Sequence, residues 1–299
     1  MIDIEVAAGA GFCSGVQRAV KLAERAARTH GRVVSLGPLI HNQDEVERLR
    51  GLGIEPVEGA VPSGQVVIVR SHGVPVEQLE ELVARGPVED ATCPHVRACQ
   101  QRAERMAAQG YVVLVVGDPD HPETDSIVSH AMRGGADRAT VLVADGPARL
   151  AALHGSGVGR KVAVLAQTTQ SLAALAAVVE ACLERSNEVR VFNTICDATA
   201  RRQHEAREMA RRADLLLVVG GRHSANTRRL VEICSREQPN TRWIEGAGEL
   251  RVEWLEGCQR VAVTAGASTP RRAVDKVAAR LEELGRSVDH EASERRAGP

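Results

Sequence analysis

The chain has 299 residues, 43% of them hydrophobic and 2% aromatic, with a formal net charge of −1. That length accommodates two or three domains with their own cores, and the balanced charge and scarcity of rings exclude nucleic acid as the main partner, because neither a cationic field nor a stacking platform is available. No apolar run approaches the ~20 residues of a membrane helix, and residues 1–6 read as a strand without the basic flank of a signal peptide, so a cytoplasmic protein without a membrane partner is expected.

After that opening strand the chain turns through Gly11-Phe12-Cys13-Ser14-Gly15 into a helix whose apolar positions Val16, Ala19, Val20, Ala23 and Ala27 share one face. It returns as the apolar strand Val33–Leu36, which ends in Leu39-Ile40-His41-Asn42, and a second strand, Val66–Val69, ends in Ser71-His72-Gly73. Ala91-Thr92-Cys93-Pro94 then opens another helix, with proline at the first helical position, where its missing N–H is not needed. Val112–Val116 leads into Asp120-His121-Pro122-Glu123, and Val162-Ala163-Val164-Leu165 leads into Gln167-Thr168-Thr169. Between these, Gly155-Ser156-Gly157-Val158-Gly159 reads as a flexible loop. A third passage runs from Thr194-Ile195-Cys196-Asp197 through Leu215–Val219 to Ser224-Ala225-Asn226, then through Val261-Ala262-Val263 to Ala267-Ser268-Thr269. The charged, apolar-poor residues 286–299 are expected to be a disordered tail.

One unit is thus written three times: Cys13, Cys93 and Cys196 stand 28 residues before His41, His121 and Ser224 respectively. A helix returning to a strand implies parallel sheets, so the expected segments are 13–92, 93–194, and 1–12 joined to 195–285. Each cysteine and the two polar loops after it should lie at the carboxyl ends of one parallel sheet, where open α/β sheets bind ligands.

The seven cysteines lack paired spacing, which points to reduced thiols or metal ligands rather than a disulfide framework. Cys99, Cys182, Cys234 and Cys258 lie in or beside apolar stretches and read as inert structural thiols. Cys13, Cys93 and Cys196 open helices, where unpaired N–H groups and the helix dipole favour thiolate. No local C-x2-C pair exists for a structural zinc site. Three distant thiolates suit a centre with one open position, either a catalytic zinc or an iron–sulfur cluster, and spacing alone does not choose between them. The six polar loops carry imidazole, hydroxyl and amide donors suited to a phosphate or diphosphate. Glu123 is the strong acid among them, readable as a general acid or as a cap for the following helix.

The stretches GFCSGVQRAV, GPLIHN, SHGVP, DATCPHV, GDPDHPE, QTTQS, NTICDATARRQ, HSANTRRL and TAGAST cover residues 11 to about 270. They resemble the 4-hydroxy-3-methylbut-2-enyl diphosphate reductase family of the methylerythritol phosphate route to isoprenoids. The resemblance implies a trefoil of three pseudo-repeated α/β domains with parallel sheets around one central 4Fe–4S cluster, ligated by Cys13, Cys93 and Cys196 with one iron open. It implies substrate contacts at His41, His72, His121, Thr168, Ser224, Asn226 and Ser268, with Glu123 as proton donor and Thr168 and His121 beside it in catalysis. The implied reaction adds two electrons and two protons to an allylic alcohol diphosphate, releases water and forms isopentenyl and dimethylallyl diphosphate. A ferredoxin- or flavodoxin-type protein would be the electron donor. An iron–sulfur sensor binding an isoprenoid diphosphate would need the thiols but not Glu123, and a zinc hydrolase would need no iron. Two positions depart from the family pattern: Ala225 replaces a serine found in some members, and Arg271 and Arg272 add unexpected positive charge after the last motif, where it bears on donor docking.

Overall fold

The structure, a computed structural model, describes residues 2–59, 61, 64–138, 140–152 and 161–296. The stretch 155–159, expected to be a flexible loop, lies outside the described residues. Three four-stranded parallel sheets are formed. The first contains β2 (Val33–Leu36), β3 (Ile54–Val57), β4 (Val66–Val69) and β5 (Val88–Asp90) in the order β3-β2-β4-β5. In the second, β6 (Val112–Val116), β7 (Val141–Ala144), β8 (Lys161–Ala166) and β9 (Glu188–Phe192) lie in the order β7-β6-β8-β9. The third joins the chain's opening strand β1 (Asp3–Val6) to β10 (Leu215–Val219), β11 (Thr241–Ile244) and β12 (Arg260–Ala265), in the order β1-β12-β10-β11. The α/β class and the threefold repeat are as the sequence implies.

Burial explains which strands the sequence revealed. Every residue of β2, β4, β6 and β10 is buried, because helices cover both faces and the strand must be apolar throughout. In the second sheet Val113 and Val115 pack with Cys99, Ala103 and Ile127, while Val112, Leu114 and Val116 pack with Leu150, Leu175 and Val178 on the other face. The strands β3, β5, β7, β9 and β11 lie at sheet edges. β5 and β9 contain no fully buried residue, so their sequences Val-Glu-Asp and Glu-Val-Arg-Val-Phe carry no continuous apolar signal.

Three helices follow the cysteines: α1 (Ser14–His30), α4 (Pro94–Ala108) and α8 (Asp197–Arg212). Helices α2 (Gln43–Gly51), α5 (Pro122–Arg133) and α9 (Ala225–Glu237) follow the first strand of each repeat. Helices α3 (Val76–Arg85), α7 (Leu172–Leu183) and α10 (Arg271–Arg296) follow β4, β8 and β12, and α6 (Pro147–Ala152) follows β7. On α1 the buried face is Ala19, Val20, Ala23, Ala26 and Ala27, with Val16 half-buried. α10 continues as helix through Arg296, where a disordered tail was expected from residue 286.

The chain forms two compact units. One comprises Met1–Cys13, His41–Glu45 and Ala198–Pro299, built on the third sheet; the other comprises Ser14–Ile40 and Val46–Asp197, built on the first two. Most of the expected segments 13–92 and 93–194 falls in the second of these units, while Cys13 and His41–Glu45 belong to the first. Within the second unit, α3 meets α5, where Val76 N–H donates to Ser129 Oγ at 2.9 Å and Ser129 Oγ–H donates to Glu77 at 2.9 Å. The five residues from His41 leave that body and pack with the third sheet.

α4 and α5 cross closely at Gly134, just past the end of α5. A Cβ there would lie 2.2 Å from the Glu104 carbonyl oxygen, and backbone cannot yield as a side chain can. Gly134→Ala is expected to lower stability by about 1–3 kcal/mol, seen as a lower urea midpoint with unchanged slope. Gly51→Ala, where a Cβ meets nothing within 4 Å, should leave the midpoint unchanged or slightly raised.

Candidate functional site

In each repeat the strand order is second, first, third, fourth. The direction of chain progression reverses between the first and third strands, β2/β4, β6/β8 and β10/β12. Ligands of open α/β sheets bind outside the carboxyl ends of such a strand pair, because the two following connections diverge and leave a crevice. The six polar loops are the connections leaving those six strands: His41 and His72, then His121 with Glu123 and Thr168, then Ser224 with Asn226 and Ser268.

The cysteines are anchored differently from the expectation. Each was expected to share a sheet with the two polar loops after it; instead each follows the edge strand of the sheet before it. Cys13 N–H donates to Ala267 C=O at 3.1 Å, Cys93 N–H to Ser71 C=O at 3.0 Å, and Cys196 N–H to Thr168 C=O at 3.1 Å. The acceptor lies two residues beyond the end of β12, β4 or β8 in every case. The reason is that β1, β5 and β9 pair with those strands, and the ladder is extended by one further loop-to-loop bond.

In the unit that carries the first two sheets, six predicted residues form one continuous chain of contacts. Cys93 N–H reaches the carbonyl of Ser71, whose neighbour His72 packs edge-on against His121 with ring centroids 5.2 Å apart. His121 caps α5: its Nδ1 accepts the Glu123 N–H at 3.1 Å. An Nδ1 that accepts must be unprotonated, so the ring proton is assigned to Nε2 and the imidazole is neutral in this arrangement. The cap is therefore His121 and not Glu123.

The Glu123 carboxyl is buried, with Oε1 accepting the Thr168 N–H at 2.6 Å and Oε2 3.0 Å from Thr168 Oγ1. Burial raises its pKa to about 7; the two Thr168 donors pull the other way but do not prevail. Thr168 C=O then accepts from Cys196, closing the chain of contacts at the second thiol. Both thiols are half-buried, and Cys93 occupies the N-cap position of α4 without a capping bond from its sulfur.

Ser126 and Gln100 brace this arrangement from behind. Ser126 Oγ lies 3.1 and 2.8 Å from the His72 and Glu123 carbonyls, which share its one proton, and accepts from Gln100 Nε2 at 3.0 Å. Gly73, at φ +73°, fits there because a Cβ would lie 2.5 Å from Gln100 Nε2.

The other unit carries Cys13, His41, Ser224, Asn226 and Ser268. Ser224 caps α9, its Oγ accepting the Thr227 N–H at 3.3 Å, and Ser268 Oγ lies 3.4 Å from Ser224 Oγ. Asn226, in the first turn of α9, is buried with neither amide atom hydrogen-bonded among the described residues. A buried amide of that kind is costly unless a ligand satisfies it. Ala225 is half-buried, and its side chain offers no polar group.

Sequence reasoning passed over Gln167. It is buried, its Oε1 accepts the Asp118 N–H at 3.0 Å, and its Nε2 is without a partner among the described residues. Its place at the head of the QTT loop was the available signal. Arg202 was also missed: buried on α8, it donates to Ala265 C=O at 2.7 Å and Gly11 C=O at 2.9 Å, tying the Cys13 turn to the strand that leads to Ser268. The inert reading suits Cys99 and Cys234, whose thiols burial pushes up to about 12, and Cys182 and Cys258, which shift in the same direction, although Cys258 is only half-buried.

Comparison with known proteins adds a second line. The 4-hydroxy-3-methylbut-2-enyl diphosphate reductase of Geobacter sulfurreducens is 47% identical over 292 residues, 95% of this chain and 98% of that protein. The protein of the same name from Geobacter metallireducens is 45% identical over 286 residues, 95% and 98% of the two chains. A solved structure of (E)-4-hydroxy-3-methyl-but-2-enyl diphosphate reductase, the terminal enzyme of the non-mevalonate pathway, is 40% identical with a TM-score of 0.70 over 95% of this chain and 100% of that one. The E-1-hydroxy-2-methyl-but-2-enyl-4-diphosphate reductase of Plasmodium falciparum, 23% identical over 92% of this chain and 86% of its own, shares the fold with a TM-score of 0.84. The family model described as LytB protein matches residues 4–282, and the chain belongs to that family.

Proposed function

We propose that the chain reduces (E)-4-hydroxy-3-methylbut-2-enyl diphosphate to isopentenyl and dimethylallyl diphosphate, using one 4Fe–4S cluster held by Cys13, Cys93 and Cys196. The observation that carries the cluster assignment is the thrice-repeated bond from a cysteine N–H to the carbonyl two residues past a strand end. It gives three thiols the same local placement before a helix, as three equivalent ligands require. Three sulfur donors suit iron–sulfur chemistry better than harder metals.

When bound, the cluster supplies two electrons and, at an iron without a protein ligand, a Lewis-acidic position for the departing hydroxyl. The protein's own groups supply binding and protons. Asn226, Ser224 and Ser268, with His41, His72 and Gln167 Nε2, are the donors proposed for the diphosphate end. The neutral His121 would donate from Nε2.

Glu123 holds the proton. Because Oε1 faces the obligate donor Thr168 N–H, the acid proton sits on Oε2, beside Thr168 Oγ1. Thr168 accepts there when Glu123 is protonated and donates when it is ionised, so its hydroxyl proton reverses direction as Glu123 discharges. The balance is one allylic C–O bond broken, one C–H bond formed, two electrons and two protons consumed, and one water released. A ferredoxin- or flavodoxin-type protein is the proposed donor of those electrons, and the cytoplasm the proposed location. Among the described residues no helix is long and apolar enough to cross a membrane.

Protein purified without oxygen is expected to be brown, with about four irons and four sulfides per chain and a spectrum that changes on adding the allylic diphosphate. Zinc in place of iron would sink the assignment. Cys93→Ser should lose the cluster while remaining folded by circular dichroism.

Glu123→Gln keeps the shape and both Thr168 contacts but cannot release a proton. Its kcat should fall about 10²–10⁴-fold with iron content unchanged; wild-type turnover would remove Glu123 from the proton-donor role. In the wild type, kcat should decline as pH rises through about 7, as the acid is lost, and the variant should lack that limb. Stability follows the same sign. The folded pKa is raised, so the contribution of Glu123 is fully present below its unfolded pKa of 4.5 and is lost as pH rises through about 7. The Tm of wild type relative to Glu123→Gln should therefore fall between pH 5 and pH 8.

A further inference from the structure

The function described so far makes no use of Arg272, nor does it explain why His41–Glu45 leaves the body that carries its neighbours on both sides and packs with the third sheet. Contacts at both ends of the segment hold it there. Glu45, in the first turn of α2, is fully buried and pairs with the half-exposed guanidinium of Arg272 in the first turn of α10. At the other end, the His41 carbonyl lies against Gly221, where a Cβ would come within 2.3 Å of its oxygen. Gly221 stands three residues before Ser224, so the backbone of His41 is laid along the turn that presents the serine. Between the two contacts Asn42 Oδ1 accepts the Glu45 N–H at 3.0 Å, which stiffens the path from ion pair to imidazole. The neighbouring Arg271 is spent on an exposed pair with Asp275 at 2.8 Å.

We propose that Arg272 is a positioning residue for His41: by pairing with buried Glu45 it fixes the start of α2 on α10 and so sets where the imidazole meets the substrate. This rests on the proposed reductase function, in which His41 binds the diphosphate end. A carboxylate as buried as Glu45 needs its cation, and without it the first turn of α2 would shift toward water to solvate the charge. His41, four residues earlier in the connection that enters α2, would move with it.

The test is steady-state kinetics of the anaerobically purified holoenzyme with the allylic diphosphate and a chemical reductant. Arg272→Met is expected to raise KM about tenfold or more, the size of effect a misplacement near 1 Å produces, with kcat within about twofold and iron content unchanged. A general loss of structure would instead lower kcat and iron together. Arg272→Lys keeps the charge without the planar fork and should fold even if the methionine variant does not. It is expected to show a KM between the other two, about threefold above wild type. Wild-type KM in Arg272→Met, or in Arg272→Lys should the methionine variant fail to fold, overturns the proposal. A fall in kcat with unchanged KM overturns it as well, because it would place the effect on chemistry rather than on binding. Wild-type enzyme that does not turn over the substrate overturns the reductase reading itself, a failure distinct from the other two.

Discussion

Everything at the site depends on backbone pairing that continues past the ends of the strands. A parallel ladder aligns carbonyls and N–H groups along its length, and at the carboxyl end of β4, β8 and β12 one more carbonyl remains to be satisfied. In each sheet the next donor is the N–H of a cysteine that follows the neighbouring edge strand. That bond fixes the backbone of each cysteine at the level of the polar loops. The bond is made where an edge strand ends, so the least buried strands of the fold place the three cysteines.

Two of the side chains proposed to bind substrate are also helix caps. His121 and Ser224 each satisfy an orphan N–H in the first turn of the following helix. A cap is rigid and sits where the helix begins, which is also where the dipole favours anions. With the proposed substrate contacts at His121 and Ser224, such a cap would tie substrate binding to helix stability. It also leaves the His121 ring proton on Nε2. Positive charge at that ring would require Nδ1 to give up the Glu123 N–H, loosening the turn that holds the acid. The high pKa of Glu123 follows from the same packing: α5 and the QTT loop bury the carboxyl, and burial outweighs the two hydrogen bonds that favour ionisation.

Legibility in the sequence followed burial. The strands β2, β4, β6 and β10 announced themselves because both faces are covered and every residue must be apolar, and with them came the threefold repeat and the loops at their ends. β5 and β9 could not be read, since an edge strand with half-exposed residues such as Glu89 or Arg190 has no pattern distinct from a loop. Without those strands Cys93 and Cys196 were assigned to the sheet that follows rather than the one that precedes. Arg202 and the Glu45–Arg272 pair were invisible for a different reason. They join residues 63, 191 and 227 positions apart, and a charged side chain on a helix looks solvated until its partner is known. Fixed offsets within a repeat can be seen in a sequence, whereas the bonds that tie one segment to a distant one cannot.

The three repeats are alike in backbone and unlike in side chain, and the difference is where specificity resides. The strand-end loops of the first repeat offer two imidazoles, those of the third two serines and a buried amide, and only the second pairs an acid with a hydroxyl. A reductive dehydroxylation needs many donors toward an anion but a proton source at one place only. An acid in every loop would set a like charge against a diphosphate wherever one is to be held, and that repulsion would push each acid toward its protonated form. Confining the acid to one repeat, and burying it there against Thr168, leaves the other loops free to be uniformly donating. The repeat thus supplies a common geometry, and the asymmetry of a few residues supplies the chemistry.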